Sequence, residues 1–285
     1  MALEANKMKV TYIYHSSFLA ETDSCTMLFD YFRGILPPIA EDKPLYIFAS
    51  HSHEDHFSER IFSVAQGRTA PITYVLSDDI FKSRVPENCA KNTIFLGPHE
   101  TWTDGLINVR TLQSTDQGVA FCLDVPTAAP FLTQDDKEAI CQTTPESNTL
   151  AAGPQTPKGS LPAAASLPPE SKEKVAHIYY AGDMNNWWWP GDPDNERVVR
   201  EYHQELGMIK GEVFDAAFVP LDSRLTESYF MGLDDFMERC DAKAIFPMHF
   251  WEKHDIIDQM KGRAESTAFA DRIVYIGKEG QSWTL

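Results

Sequence analysis

The sequence predicts a layered α/β protein with mixed β-sheets. Three observations carry that reading. Residues up to Val125 read as a run of short strands, and residues after Lys174 alternate strand with helix. No Gly-x-Gly-x-x-Gly or phosphate-loop lysine motif is present, which argues against a doubly wound nucleotide-binding sheet.

Taken in order, Met8–Tyr14 is a strand ending at His15-Ser16-Ser17, and Thr26–Phe32 is a second. The apolar run Leu45-Tyr46-Ile47-Phe48-Ala49 is a third. Ser58–Ala65 offers Ile61, Phe62 and Val64 on one helical face. Short strands follow at Thr73–Leu76, Thr93–Leu96, Ile107–Leu112 and Gly118–Val125, the last alternating Val119, Phe121 and Leu123. Pro126–Lys174 holds eight of the eighteen prolines and a single aromatic residue, so it is expected to be a disordered insertion within one domain spanning 1–285. Order resumes with the strand His177–Ala181 and the helix Arg197–Met208. The strand Ala216–Leu221, the helix Leu233–Cys240 and the strand Ala244–Phe246 come next. A helix at Ala264–Ala270 and a strand at Ile273–Ile276 close the chain.

Composition narrows the partners. The 285 residues carry a formal charge of −17, from 42 acidic against 25 basic side chains, which disfavours a phosphate backbone as ligand. The cysteine count is five, with no Cys-x-x-Cys pair, so neither a disulfide framework nor a zinc ribbon is expected. No signal peptide and no apolar run of bilayer-spanning length is visible. The expectation is a cytoplasmic protein acting on a small molecule, with no nucleic-acid or membrane partner and its oligomeric state open.

The chemistry concentrates in His51-Ser52-His53-Glu54-Asp55-His56, directly after an apolar strand. Imidazole nitrogen and carboxylate oxygen are the donors that Zn²⁺, Mn²⁺ and Fe²⁺ accept. Two further strands end in candidate ligands, Asp183 after Ala181 and His249 after Phe246. Strand ends hold such groups rigidly on one edge of a sheet.

These motifs resemble those of the metallo-β-lactamase superfamily. The hexapeptide matches its His-x-His-x-Asp-His signature, Tyr180-Ala181-Gly182-Asp183 its bridging aspartate, and Phe246-Pro247-Met248-His249 its late histidine. The opening Tyr12-Ile13-Tyr14-His15-Ser16-Ser17-Phe18 is similar to the branch containing ascorbate-6-phosphate lactonase and the phospholipase D acting on N-acyl-phosphatidylethanolamine. The resemblance implies an αβ/βα sandwich of two mixed sheets flanked by helices, with two divalent metal ions, zinc or manganese or else iron, along one edge. It implies that His51 and His53 hold the first metal, that Asp55, His56 and His249 hold the second, and that Asp183 bridges them. It further implies a hydrolase in which a metal-held hydroxide attacks an ester, lactone or phosphodiester while Asp55 manages protons.

One element departs from the pattern. The superfamily's histidine between the hexapeptide and the bridging aspartate is missing; Gln113-Ser114-Thr115-Asp116-Gln117 stands there, so Asp116 is the candidate replacement. His99 reads as a turn residue and His254 as a surface residue. His15 is expected to contact substrate or orient a ligand. Trp187-Trp188-Trp189 is expected to place at least one indole at the mouth of the site, with Asn185 and Asn186 near substrate. Arg33 and Arg224 are the candidate anion binders. The competing function is a metal-binding or interaction module that kept the scaffold without strong catalysis, which the missing histidine favours. Redox chemistry at a di-iron site is a third reading.

Overall fold

The computed structural model describes residues 7–64, 67–128 and 175–285. The expected insertion falls almost wholly outside them; its first residue, Pro126, belongs to a strand. The described residues form one compact unit.

Thirteen strands form two sheets among the described residues. The first sheet contains β1 (Lys9–Tyr14), β2 (Ser17–Glu21), β3 (Thr26–Phe29), β4 (Leu45–Ala49), β5 (Ile72–Ser77) and β6 (Thr93–Leu96) in spatial sequence. The second contains β7 (Thr101–Thr103), β8 (Asn108–Gln113), β9 (Val119–Pro126), β10 (Val175–Tyr180), β11 (Val213–Pro220) and β12 (Asp241–Met248). The last strand, β13 (Ser282–Thr284), returns to pair with β1. Each sheet is antiparallel over one part and parallel over the other: β3 to β6 are parallel in the first, and β10 to β12 in the second. The expected layered α/β architecture with mixed sheets is the observed one.

Period-two alternation explains how the sheets stack. Along β4, Tyr46 and Phe48 enter the larger core while Leu45, Ile47 and Ala49 enter a second core on the opposite face. Aromatic rings fill the larger core. Phe29 stacks on Phe48 at 4.9 Å and on Tyr180 of the other sheet at 4.6 Å, and Phe18 meets Phe218 at 4.8 Å. Strands buried on both faces read as continuous apolar runs, which is why β4 stood out in the sequence.

The α-helices among the described residues are α1 (Asn195–Met208), α2 (Met231–Arg239) and α3 (Asp255–Gly262). Phe236 of α2 stacks on Tyr179 at 4.9 Å, covering the outer face of the second sheet. Local details differ from the sequence reading. The helix expected over Ser58–Ala65 is a 3₁₀ turn, Glu59–Phe62, capped by Ser58; Ile61 and Phe62 bury side by side, which one tight turn achieves. The closing helix lies earlier, at Asp255–Gly262, with only a 3₁₀ turn at Glu265–Ala268. Ile273–Ile276 is not a strand; Ile273 makes an isolated bridge to Ile245, and β13 takes the edge position. Strands β2 and β7 were not anticipated: Ser17-Phe18-Leu19-Ala20-Glu21 follows β1 too closely for separate periodicity, and β7 has three residues. No described helix is long and apolar enough to cross a membrane.

Candidate metal centre

Six parallel-directed strand ends meet on one edge. In the first sheet β1 delivers His15, β3 delivers Asp30, and β4 delivers Ser50 and the hexapeptide. In the second, β10 leads to Asp183, β11 to Asp222 and β12 to His249. A sharp turn is needed wherever a chain leaves its strand to aim a side chain inward. His15, Asp30 and His249 take it with φ of 52°, 42° and 63°, an unfavourable region for non-glycine residues that persists only where surrounding contacts hold it. Gly118, at φ +73°, lets the turn between β8 and β9 press on the hexapeptide; a Cβ there would sit 2.1 Å from Ser50 O and 2.5 Å from His51 Cβ.

The predicted residues gather into two groups whose donor atoms lie within 4.8 Å of one another: His51, His53 and Asp183 in one, and His15, Asp55, His56 and His249 in the other. Asp183 joins them. Its Oδ2 lies 3.5 Å from His51 Nε2, while its Oδ1 lies 3.0 Å from His56 Nε2 and 3.4 Å from His249 Nε2. His51 Nε2 and His53 Nδ1 stand 3.0 Å apart. Asp116 approaches His53 Nδ1 at 3.9 Å and is half exposed; it stands outside both groups.

Two carboxylates that the sequence reading did not single out orient these imidazoles. His56 Nδ1 donates to Asp30 Oδ2 at 2.7 Å, and His249 Nδ1 donates to Asp222 Oδ2 at 2.9 Å. These hydrogen bonds engage Nδ1 of each ring and leave Nε2 as the atom turned to the centre. Asp30 is fully buried and also accepts from the Ser50 backbone at 2.7 Å, the Ser50 hydroxyl at 2.6 Å and the Tyr180 hydroxyl at 2.9 Å. Asp222 accepts from Arg224 Nε at 2.8 Å and Nη2 at 2.5 Å. In sequence each is a lone aspartate just past a buried strand, a place that turn residues share.

Electrostatics match a cation site. Burial pushes His15 and His51 down to about 4, so both imidazoles are neutral donors at neutral pH. Burial would also push His56 down, but Asp183 and Asp30 outweigh it and hold the ring well above its ordinary value. Burial raises Asp55 and Asp183, yet the histidines around them win, keeping both well below the usual carboxylate range. Both ring nitrogens of buried His15 lack a hydrogen-bond partner. Such atoms are costly unless something coordinates them, and nitrogen and carboxylate donors suit a divalent transition metal.

A pH prediction follows for the metal-free protein. Unfolded histidine titrates near 6.5, and folded His15 and His51 near 4. Stability present above pH 6.5 is therefore lost as the pH falls towards 4, by about 1 kcal/mol per histidine per pH unit. His56, shifted the other way, contributes fully below 6.5 and does not offset the loss in this window. Urea midpoints of chelator-treated protein at pH 7 and pH 5 measure the effect; equal midpoints would contradict it.

The centre opens into a cavity of about 380 Å³. Trp187 and Trp189 line one side, their rings parallel at 6.0 Å, with the Trp187 indole donating to Asp183 O at 2.7 Å. Arg224, Asp55 and Asp116 also face it. Trp188, Asn185 and Arg33 do not line it. Asn185 is buried, its backbone tied to the Thr115 hydroxyl, and exposed Arg33 lies over the Tyr14 ring. Three adjacent indoles cannot share a face, and the cavity takes the first and third.

No protein-family model matches the chain, and no curated protein matches it in sequence. Solved structures do match. Igni18, a metallo hydrolase from the archaeon Ignicoccus hospitalis, aligns with a TM-score of 0.54 at 14% identity over 98% of each chain. CmlA, a diiron β-hydroxylase from Streptomyces venezuelae, aligns at 0.52 and 11% identity over 98% of this chain and 54% of its own. YhfI from Bacillus subtilis, a metallo-β-lactamase fold protein, aligns at 0.51 and 13% identity over 97% of this chain and 99% of its own. At these identities the likeness is one of architecture, that of two mixed sheets: the chain adopts the metallo-β-lactamase fold.

Proposed function

We propose that this protein is a metal-dependent hydrolase of a small anionic ester, lactone or phosphodiester. One observation carries the reading: Asp183 presents one oxygen to each of two donor groups at the floor of an open cavity. His51 and His53 would hold one cation and Asp55, His56 and His249 the other, with Asp116 beside His53. When bound, such a pair polarises the scissile group and makes water nucleophilic at neutral pH.

The chain's own residues do the rest. Asp30 and Asp222 keep the His56 and His249 rings in one tautomer and orientation. Trp187 and Trp189 form a flat wall that suits a ring or acyl group and keeps water from that side. Arg224, held by Asp222 through Nε and Nη2, leaves Nη1 for a substrate oxyanion at the mouth. The His15-Ser16-Ser17 opening favours a lactonase-like substrate within this class.

The test is a hydrolysis screen of purified protein loaded with Zn²⁺, Mn²⁺ or Fe²⁺, using aryl esters, sugar lactones with and without phosphate, and aryl phosphodiesters. Metal-dependent turnover of at least one class is expected. Arg224→Ala should raise KM for the anionic substrate by roughly 10- to 100-fold, the worth of a charge-assisted hydrogen bond, at unchanged metal content. Bound metal with no turnover on any class would favour the non-catalytic module instead.

A further inference from the structure

The two donor groups are built to different standards. The group at His51 and His53 has two imidazoles and one carboxylate oxygen, and the His53 side chain is 44% exposed. Asp116, the candidate replacement for the missing third imidazole, is 48% exposed and 3.9 Å from His53 Nδ1. The group at His56 and His249 has three imidazoles and Asp55, and Asp183 Oδ1 faces it at 3.0 and 3.4 Å. Two of its rings are locked by buried carboxylates, and every histidine in it is buried.

The extra imidazole is His15. It is wholly buried, neither ring nitrogen has a hydrogen-bond partner, and Nε2 lies 3.6 Å from Asp55 Oδ2. Its ring is packed between Trp251 at 4.0 Å and His249 at 4.4 Å, so it cannot turn to solvent. A buried imidazole with no partner costs free energy that packing alone does not return. Its backbone, at φ 52°, is held by the Tyr12 hydroxyl, which accepts from His15 N at 2.8 Å.

We propose that the two cation positions are unequal: the one among His15, Asp55, His56 and His249 fills first, with His15 Nε2 as an added ligand, and the His51–His53 position fills only at higher metal concentration. This rests on the metal-dependent reading above. More donors and a lower cost of ordering them favour the first position.

The test is metal binding, independent of turnover. Full-length protein is stripped with a chelator and titrated with Zn²⁺ against a competing indicator, and retained metal is measured after desalting. The wild type should bind one equivalent at least 10-fold more tightly than the second. His53→Ala should keep the tight equivalent. His15→Ala should weaken it by at least 10-fold, and so should His15→Phe, which preserves the packing against Trp251 and removes both nitrogens. A structural role for His15 would be rescued by phenylalanine, so wild-type affinity in that variant overturns the proposal. Loss of the tight equivalent in His53→Ala overturns it too. Two equivalents of equal affinity refute the inequality while leaving the hydrolase reading intact. No binding by the wild type removes both.

Discussion

Asp183→Asn is expected to strip metal from both positions and to lower turnover by roughly a thousandfold, about 4 kcal/mol of barrier. The reason is geometric. Asp183 is 4% exposed, and its two oxygens point to different donor groups, Oδ2 to His51 and Oδ1 to His56 and His249. Asparagine keeps the shape but removes the charge and turns one acceptor into a donor that faces lone pairs. The anion that outweighs burial at His56 is lost with it. A cation that binds only the folded chain stabilises it by about 2.7 kcal/mol at a hundredfold excess over Kd. The variant should therefore show little rise in melting temperature when Zn²⁺ or Mn²⁺ is added, whereas the wild type rises by several degrees. Elemental analysis and paired melting curves check this. Retention of two equivalents would refute the bridging role.

Asp30→Ala is expected to cost about 3–5 kcal/mol of stability, the range for breaking a buried charged network. Four donors converge on this one carboxylate, from Ser50 N, Ser50 Oγ, His56 Nδ1 and Tyr180 OH, and none can turn to solvent. Removing the acceptor orphans the Ser50 amide, takes away the 2.7 Å partner of His56 Nδ1 and leaves the Tyr180 hydroxyl only the Ser16 carbonyl. The same change frees the His56 ring, so metal affinity should fall 10- to 100-fold among the molecules that do fold. Asp30→Asn separates backbone from charge. Asparagine tolerates the φ of 42° and keeps one acceptor oxygen, so its stability loss should be smaller while the affinity loss persists. Denaturant midpoints and metal titrations on both variants measure the two effects. Equal stability of Asp30→Ala and wild type would show the network to be unimportant.

Much of the site could be read in the linear chain because its chemistry is locally dense. The hexapeptide places three imidazoles and Asp55 within six residues, and Asp183 and His249 each follow an apolar run. Asp30 and Asp222 escaped notice for the opposite reason. Each is a single aspartate at a strand end, indistinguishable in sequence from a turn residue, and becomes significant only because a distant histidine donates to it. The aromatic wall was half legible: the Trp187–Trp189 run announced it, and the fold chose Trp187 and Trp189 over Trp188.

The sequence by itself determined that imidazoles and carboxylates follow apolar strands of a mixed-sheet α/β protein, since period-two burial and strand-end composition are local properties. The tertiary structure alone decided how the donors divide. It sent His15 across to His56 and His249, left Asp116 at the rim, and set Asp30 and Asp222 behind the rings. Those choices depend on which strand ends lie side by side when two sheets stack. Residues 150 positions apart, as Asp30 and Tyr180 are, acquire a meaning there that no local pattern contains.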